Sequence, residues 1–134
     1  MNENDCKETT LFRCPVCGKN LHTEGGKSLR CDNLHNFDIA SGGYVNLLPQ
    51  HAHRGSVHGD NREMIIARGF FLDKGYYSEL CDRLCDEIKS RLPDNAAILD
   101  AGCGEGYYDE KIIMCMKNPV FYGIDLSKYA LSRL

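Results

Sequence analysis

Two residue pairs near the start of the chain have the side chains and the spacing of a metal site. Cys14 and Cys17 form a C-x2-C pair, and Cys31 and His35 form a C-x3-H pair after thirteen intervening residues. Tetrahedral zinc favours thiolate and imidazole ligands, and a structural site takes four of them. The segment EGGK at residues 24–27 predicts a hairpin that would bring the pairs together. Three core cysteines and an unrelated histidine are the alternative, but the paired spacing favours a closed zinc site that stabilises a small domain.

Other histidines carry a weaker signal. His51 and His53 lie in a loop without a neighbouring cysteine, as does His58, and we interpret all three as solvated side chains. The alternative is a partly positive loop that contacts RNA, in which Arg54 supplies the fixed charge.

A second candidate site lies in the stretch AILDAGCGEGYY, residues 97–108. A short apolar strand ends at Asp100, a glycine-rich turn follows, and a helix begins after it. The next apolar strand ends at Asp125, 25 residues after Asp100. Open α/β sheets bind ligands at the carboxyl ends of their strands, so Asp125 is placed to accept hydrogen bonds from a ribose. The glycines of this turn are Gly102, Gly104 and Gly106.

The spacing of this turn distinguishes between cofactors. Dinucleotide sites favour G-x-G-x-x-G, with the pyrophosphate at the helix N-terminus, whereas here the third glycine comes one residue early and Glu105 stands in the turn. A carboxylate at this point would repel a diphosphate and suit a ligand with ammonium and sulfonium charges. We therefore expect S-adenosylmethionine rather than NAD, and a glycine turn without a ligand is the third alternative.

The spacing of apolar residues and the residues that begin or end helices predict the strands and helices that position these sites. We expect a strand from Tyr44 to Leu48 and helices from a D-x-x-E capping box at Asp60 to about residue 74 and from about residue 77 to 91. A buried strand at residues 97–100, a helix at 107–116 and a buried strand at 120–124 then form a right-handed β-α-β unit with parallel strands. The predicted inward-facing side chains are Leu80, Cys81, Leu84, Cys85, Ile88, Ile112, Ile113 and Met116.

Composition and charge limit the classes of protein to which this chain can belong. The 134 residues carry a net charge of −3, which argues against a surface coated in positive charge. The polar N-terminus has no apolar core of a signal peptide, and no apolar run approaches the ~18–20 residues that span a membrane. We expect the eight cysteines to be metal ligands and core thiols in a reducing cytoplasm rather than disulfides.

Several motifs together resemble one protein family. CPVCGK, the CDNLH segment, FDIASGGYVNLLP, ARGFFLDKGYY and LDAGCGEGYY stand in the order seen in bacterial 23S rRNA guanine-N1 methyltransferases. The resemblance covers about residues 12–133. It implies an α/β protein in which a small zinc-ribbon-like module is followed by the first part of a Rossmann-like, S-adenosylmethionine-dependent methyltransferase domain.

The resemblance also implies roles for individual residues. The family transfers a methyl group to N1 of a guanine in a 23S rRNA hairpin, and its zinc module assists RNA recognition. No residue of this chain is assigned as the base that must take the N1 proton. The implied zinc ligands are Cys14, Cys17, Cys31 and His35. The implied cofactor-binding residues are Tyr77, Asp100, Gly102, Gly104, Glu105, Gly106 and Asp125.

The length of the chain leads to expectations about its domain boundaries and its activity. We expect a disordered tail at residues 1–10, a zinc-binding module at 11–49, a linker loop at 50–59 and the amino-terminal part of a methyltransferase domain at 60–134. Two strands cannot complete the family's sheet, so we expect a truncated protein that is inactive by itself. The alternative function is a non-catalytic zinc module that binds RNA or a protein.

Overall fold

The computed structural model describes residues 9–49 and 59–134. The chain divides into two compact units, residues 1–57 and 58–134. Most of the predicted tail, nearly all of the predicted linker loop, and the loop residues His51, His53, Arg54 and His58 lie outside the described residues. The first strand begins at Thr9, so the predicted tail extends two residues too far. The domain boundaries otherwise stay predictions.

The described part of the first unit is an antiparallel sheet of four strands, which pair in chain order: β1 (Thr9–Arg13), β2 (Asn20–Glu24), β3 (Ser28–Arg30) and β4 (Asn36–Asp38). The predicted hairpin is confirmed, because β2 and β3 pair across it from His22 opposite Arg30 to Glu24 opposite Ser28. These short strands place the two ends of the hairpin, and hence the two Cys/His segments, at one end of the sheet.

The predicted strand from Tyr44 to Leu48 is wrong. Only Val45 pairs in this stretch, in an isolated bridge with Ile39. The side chain of Asn46 accepts a hydrogen bond from the backbone N–H of Leu48 at 3.2 Å. Such local bonds compete with a strand ladder for backbone donors, which explains why the apolar alternation does not extend the sheet.

The core of the first unit is small and contains metal-ligand candidates. Its buried members are Leu21 and Leu29 together with Cys14 and Cys31. Half of this core therefore consists of thiols, whose packing contributes less than that of larger aliphatic side chains. Partly buried apolar side chains around it are Phe12, Cys17, Phe37, Val45 and Leu47.

The second unit contains the predicted β-α-β arrangement. Strands β5 (Ala97–Ala101) and β6 (Val120–Ile124) are parallel and in register from Ala97 opposite Val120 to Ala101 opposite Ile124. Helix α3 (Tyr107–Cys115) connects them. A small antiparallel module followed by an α/β part is thus confirmed. The remaining helices are α1 (Arg62–Leu72), α2 (Ser78–Arg91) and the short α4 (Lys128–Leu131).

The start of α1 differs from the prediction by one residue. Asn61, not Asp60, is the N-cap, and its side chain accepts the N–H of Met64 at 2.9 Å. Asp60 instead forms an ion pair with Arg68. The helix ends at Leu72, and the N–H of Gly75 then donates to the Leu72 carbonyl at 2.9 Å.

Three predicted core positions are exposed. Leu80 on α2 and Ile113 on α3 are each 43% exposed, although Cys81, Cys85 and Ile112 are buried as predicted. The strands are also not buried on both faces, since Leu99 is 57% exposed. Helix α3 packs on only one side of the β5-β6 pair, so alternate strand residues within residues 59–134 face outwards. No helix in the described ranges is long and apolar enough to cross a membrane.

Candidate metal centre and glycine-turn site

The structure brings Cys14, Cys17, Cys31 and His35 into one cluster. Their ligand atoms all lie within 4.8 Å of one another. Cys17 Sγ is 3.7 Å from Cys31 Sγ, and His35 Nδ1 is 3.6 Å from Cys14 Sγ and 3.4 Å from Cys31 Sγ. The imidazole therefore faces the cluster with its Nδ1 atom.

These spacings fit a tetrahedral zinc ion. With Zn–S near 2.3 Å and Zn–N near 2.0–2.1 Å, the tetrahedral angle places two sulfurs about 3.8 Å apart and a sulfur and a nitrogen about 3.6 Å apart. The observed distances of 3.7, 3.6 and 3.4 Å lie close to those values. Three thiolates and one imidazole give a donor set without a carboxylate, which selects zinc over calcium or magnesium.

Two tight turns position the ligands. In the first, the N–H of Gly18 donates to the Cys14 carbonyl at 2.8 Å, and Gly18 has a φ of 71°. In the second, the N–H of Leu34 donates to the Cys31 carbonyl at 2.8 Å, and Leu34 has a φ of 64°. A left-handed leucine is uncommon, and it turns the chain so that His35 points back to Cys31.

The glycine turn follows β5 as predicted. Gly102, Gly104 and Gly106 have φ values of 98°, 58° and 76°, which other residues seldom adopt. The N–H of Gly102 donates to the Ile124 carbonyl of β6 at 2.7 Å. The turn is therefore fixed to the carboxyl ends of both strands, the edge at which parallel sheets bind ligands.

The Asp125 carboxylate accepts hydrogen bonds from two backbone N–H groups, one in the glycine turn and one in the segment after β6. Its Oδ2 accepts the N–H of Gly104 at 3.0 Å, and its Oδ1 accepts the N–H of Ser127 at 2.7 Å. A carboxylate has about four lone-pair sites, so two remain for other donors. The predicted contact with a ribose stays a prediction, whereas the bond to Gly104 makes Asp125 a structural part of the turn.

Glu105 does not present a free negative charge. Its Oε2 accepts from Arg133 Nε at 2.9 Å, and its side chain is only 14% exposed. Its Oε1 also lies so close to Gly69 of α1 that a Cβ there would come within 2.8 Å of it. Arg133 thus compensates the charge of Glu105, and the predicted contact of Glu105 with a cationic cofactor stays a prediction. Leu134 covers the neighbouring Gly106.

An acid that the sequence analysis missed lies beneath the turn. Asp109, in the first turn of α3, is only 5% exposed. Burial, together with a hydrogen bond to Asp100 and the charge of that residue, raises the pKa of Asp109 to about 7. In the sequence, Asp109 resembles any acid that complements a helix N-terminus, and only its burial distinguishes it.

Cys103 reports the same concentration of negative charge. Burial and then the charges of Asp109, Asp125 and Asp100 raise the pKa of its thiol to about 11. Gly123 of β6 faces this thiol, and a Cβ at that position would lie 2.8 Å from Cys103 Sγ. All three aspartates are therefore close enough to the Cys103 thiol for their charges to affect its pKa.

Tyr77 lies at the N-cap of α2. Its ring is 5.8 Å from that of Phe71, edge to face, and 39% of the residue is exposed. Tyr77 is also near Tyr108 of α3, whose pKa is raised by burial and then by interactions with Cys81 and Tyr77. The structure thus brings Tyr77 near the start of α3, while its contact with a cofactor stays a prediction.

Comparison with known proteins finds a family model that covers the metal cluster. Residues 12–56 match the zinc-ribbon family model described as "RlmA, N-terminal". All four clustered Cys and His residues lie inside the matched range.

Curated relatives extend the similarity beyond the range of this family model. The chain is 35% identical, over 91% of its length, to a protein of Micromonospora griseorubida named as a 23S rRNA (guanine-N1) methyltransferase. It is 32% identical over 91% to the 23S rRNA (guanine(748)-N(1))-methyltransferase of Streptomyces fradiae, and 33% identical over 89% to YxjB of Bacillus subtilis, which has a similar name. The predicted family resemblance is confirmed.

The matches cover most of this chain but less than half of each relative. Matches over 89–91% of the chain necessarily include the glycine turn together with most of residues 12–56. The chain nevertheless spans only 46%, 43% and 43% of the lengths of these relatives.

Proposed function

We propose that this chain supplies the zinc ribbon and the cofactor-binding edge of an S-adenosylmethionine-dependent 23S rRNA guanine-N1 methyltransferase. The observation that carries the proposal is the union of two sites in one chain. A Cys3His cluster within an RlmA-type ribbon precedes a glycine turn at the carboxyl ends of parallel strands. Relatives named as 23S rRNA guanine-N1 methyltransferases match across both.

The zinc site has a structural role in this proposal. Cys14, Cys17, Cys31 and His35 hold one ion and leave no position for a substrate, so the ion stabilises the ribbon rather than catalysing a reaction. The ribbon in turn presents a surface to an rRNA hairpin. Thiolate ligands require reduced cysteines, and the seven described cysteines are all free thiols, which supports a cytoplasmic location.

The glycine turn binds and orients the cofactor. When bound, S-adenosylmethionine supplies an activated methyl group for displacement by a nitrogen nucleophile. The positive-φ glycines let the backbone approach the ligand closely, Asp125 accepts ribose hydroxyl groups with its remaining lone pairs, and Asp100 faces the amino-acid part. Tyr77 provides an aromatic face beside the start of α3. The base that removes the guanine N1 proton stays unassigned, and we expect residues 1–134 by themselves to be inactive.

Equilibrium binding of labelled S-adenosylmethionine to the purified chain tests this proposal. We expect saturable binding that Asp125→Ala abolishes, because that change removes both the ribose acceptor and the bond to Gly104. Asp86→Ala, which removes an exposed acid of α2, is the matched control and should bind normally. NAD should not compete.

A different outcome would favour the alternative function. A chain that holds one tightly bound zinc ion and retains RNA affinity, but shows no saturable cofactor binding, would be a zinc-containing RNA-binding module. Retained zinc with affinity for a protein instead of RNA would point to a protein-binding module.

A further inference from the structure

Two arginines and one tyrosine form a cationic cluster in the second unit. The guanidinium carbon of Arg62 lies 5.6 Å from the centre of the Tyr129 ring, and that of Arg133 lies 5.9 Å from it. Both distances are within the range of a cation–π interaction. Arg62 begins α1 and Arg133 follows α4, so the ring brings together cations from two parts of the chain. We call these three residues the arginine–tyrosine cluster.

Arg133 connects this cluster to the glycine turn. Its Nε donates to Glu105 Oε2 at 2.9 Å, so its charge is compensated. Arg62 differs, because no carboxylate among the described residues forms an ion pair with it. Arg62 is exposed, and Tyr129 is half-buried. The cluster therefore keeps one solvent-facing positive charge beyond the one that Glu105 neutralises.

Arg62 occupies a position that does not favour a cation. It is the first residue of α1, and the N-terminal end of a helix carries partial positive charge that favours acids. Glu63, the acid of this first turn, follows that rule. The contact with Tyr129 offsets part of the cost, but a neutral side chain would avoid the cost altogether. Departures from such local rules are expected at functional sites.

The cluster offers hydrogen-bond donors to an anion. A guanidinium has five N–H groups and no acceptor, so one carboxylate and one phenol oxygen cannot occupy all the donors of Arg62 and Arg133. The pKa of Tyr129 is lowered, first by Arg133 and then by Arg62, as expected for a phenol beside two cations. Guanidinium groups match the oxygens of a phosphate with two parallel N–H donors. The anion that fits is a phosphate of a nucleic-acid backbone.

We propose that the arginine–tyrosine cluster binds a backbone phosphate of the RNA substrate. The inference rests on the proposed function, in which the target base must come within about 3–3.5 Å of a methyl group held at the glycine turn. Because Arg133 contacts Glu105 of that turn, an RNA strand with a base at the cofactor passes near the cluster. A phosphate contact positions the RNA and carries no sequence information by itself.

The salt dependence of RNA binding tests this inference. The probe is a fluorescein-labelled RNA stem–loop with guanine in its loop, and fluorescence anisotropy measures its affinity for the full chain between about 50 and 200 mM salt. The variant is Arg62→Gln, and Arg62→Lys keeps the charge at the same position. Arg83→Gln makes the same chemical change at an exposed site on α2 and is the matched control.

We expect Arg62→Gln to remove one phosphate contact. Each contact contributes a slope of about −0.7 to −0.9 to the plot of log K against log salt concentration. Over this range the affinity of the natural chain should therefore fall about threefold more than that of the variant. Arg62→Lys should keep the natural slope, because a lysine also neutralises one phosphate, and Arg83→Gln should match the natural chain. Unchanged amide resonances of residues 59–134 check that Arg62→Gln is folded.

Several results would overturn the inference. An unchanged slope for Arg62→Gln does so, and so does an equal change for Arg83→Gln, because total charge alone would then explain the effect. Weaker S-adenosylmethionine binding by Arg62→Gln with an unchanged RNA slope would assign the cluster to the cofactor instead.

Failure of the proposed function gives a different result. In that case the natural chain would not bind S-adenosylmethionine, whereas the effect of Arg62→Gln on RNA binding would remain and support the phosphate site. If the natural chain binds S-adenosylmethionine but not the RNA, the phosphate site is refuted and the cofactor-binding part of the proposed function stands.

Discussion

Loss of one zinc ligand should unfold the first unit while leaving the second intact. The change is Cys31→Ser, which replaces a buried thiolate with a hydroxyl group that is a poor zinc ligand. Cys31 Sγ lies 3.7 Å from Cys17 Sγ and 3.4 Å from His35 Nδ1, so it joins both halves of the cluster. Without it, the two turns that carry the ligands are no longer connected through the ion.

The size of the effect follows from the composition of the core. Its two large aliphatic members, Leu21 and Leu29, contribute about 1.5–3 kcal/mol each by burial. Structural zinc contributes about 10–16 kcal/mol of apparent binding free energy in comparable small domains. Ordering each backbone residue costs about 1–2 kcal/mol. The leucines therefore cannot replace the ion, and we expect the variant ribbon to be unfolded at 25 °C.

The assay reads the two units separately. Zinc content is measured by a colorimetric chelator, and an amide proton–nitrogen spectrum follows each backbone N–H. Cys31→Ser should lose the zinc ion and the dispersed resonances of residues 9–49 while retaining those of residues 59–134. Cys115→Ser, outside the cluster, is the control and should retain one zinc ion and both sets of resonances.

A folded ribbon without metal would refute this reasoning. If Cys31→Ser, or the natural chain after exhaustive chelation, kept the dispersed resonances of residues 9–49, then packing alone would stabilise the ribbon. Zinc retention by the variant with unchanged affinity would show that Cys31 is not a ligand.

Three further changes test the second unit by urea unfolding. Asp109→Asn should raise the free energy of unfolding of the second unit, by about 1–3 kcal/mol more at pH 8 than at pH 5. The reason is that the folded carboxyl group keeps its proton up to about pH 7, whereas an unfolded aspartate loses its proton near pH 4. An equal gain at both pH values would contradict this reasoning. Gly69→Ala should stabilise the second unit by up to about 1 kcal/mol, because alanine is the better helix former inside α1. The atoms nearest the new Cβ, the closest at 2.8 Å, all belong to the Glu105 carboxyl end, which is flexible enough to move aside. A loss of more than about 1 kcal/mol would contradict this reasoning. Ser127→Ala should lower the free energy of unfolding by about 1–2 kcal/mol, because Ser127 Oγ accepts the Ala130 N–H and donates to the Asp60 carbonyl. The control is Ser132→Ala at an exposed position, which should lower it by less than half as much.

The zinc ribbon was largely predictable because its determinants are local. Within each pair the ligands are three or four residues apart, and a tight turn is enough to direct both to one ion. The hairpin at residues 24–27 then brings the pairs together, as predicted. The strand predicted at Tyr44–Leu48 failed because the side chain of Asn46 takes a backbone donor, a competition that apolar alternation does not reveal.

The exposed positions of the second unit show another limit of periodicity. Leu80 and Ile113 have the right spacing to join the apolar face of their helices, yet each is 43% exposed. Spacing fixes the side of a helix on which a residue lies, but the neighbouring element decides how much of that side is covered. The same reason leaves Leu99 exposed on a strand that its composition predicts to be buried.

Sequence alone determined the ligand types, the β-α-β order and the family resemblance, because these depend on residue identity and on short-range backbone geometry. Only the tertiary structure decided where the uncompensated charge lies. Glu105 finds its cation in Arg133, 28 residues further along the chain, at 2.9 Å. Asp109 is buried against Asp100 with an unpaired oxygen. Charge compensation and burial depend on which distant residues pack together, so the glycine motif located the site but not the carboxyl groups that set its electrostatics.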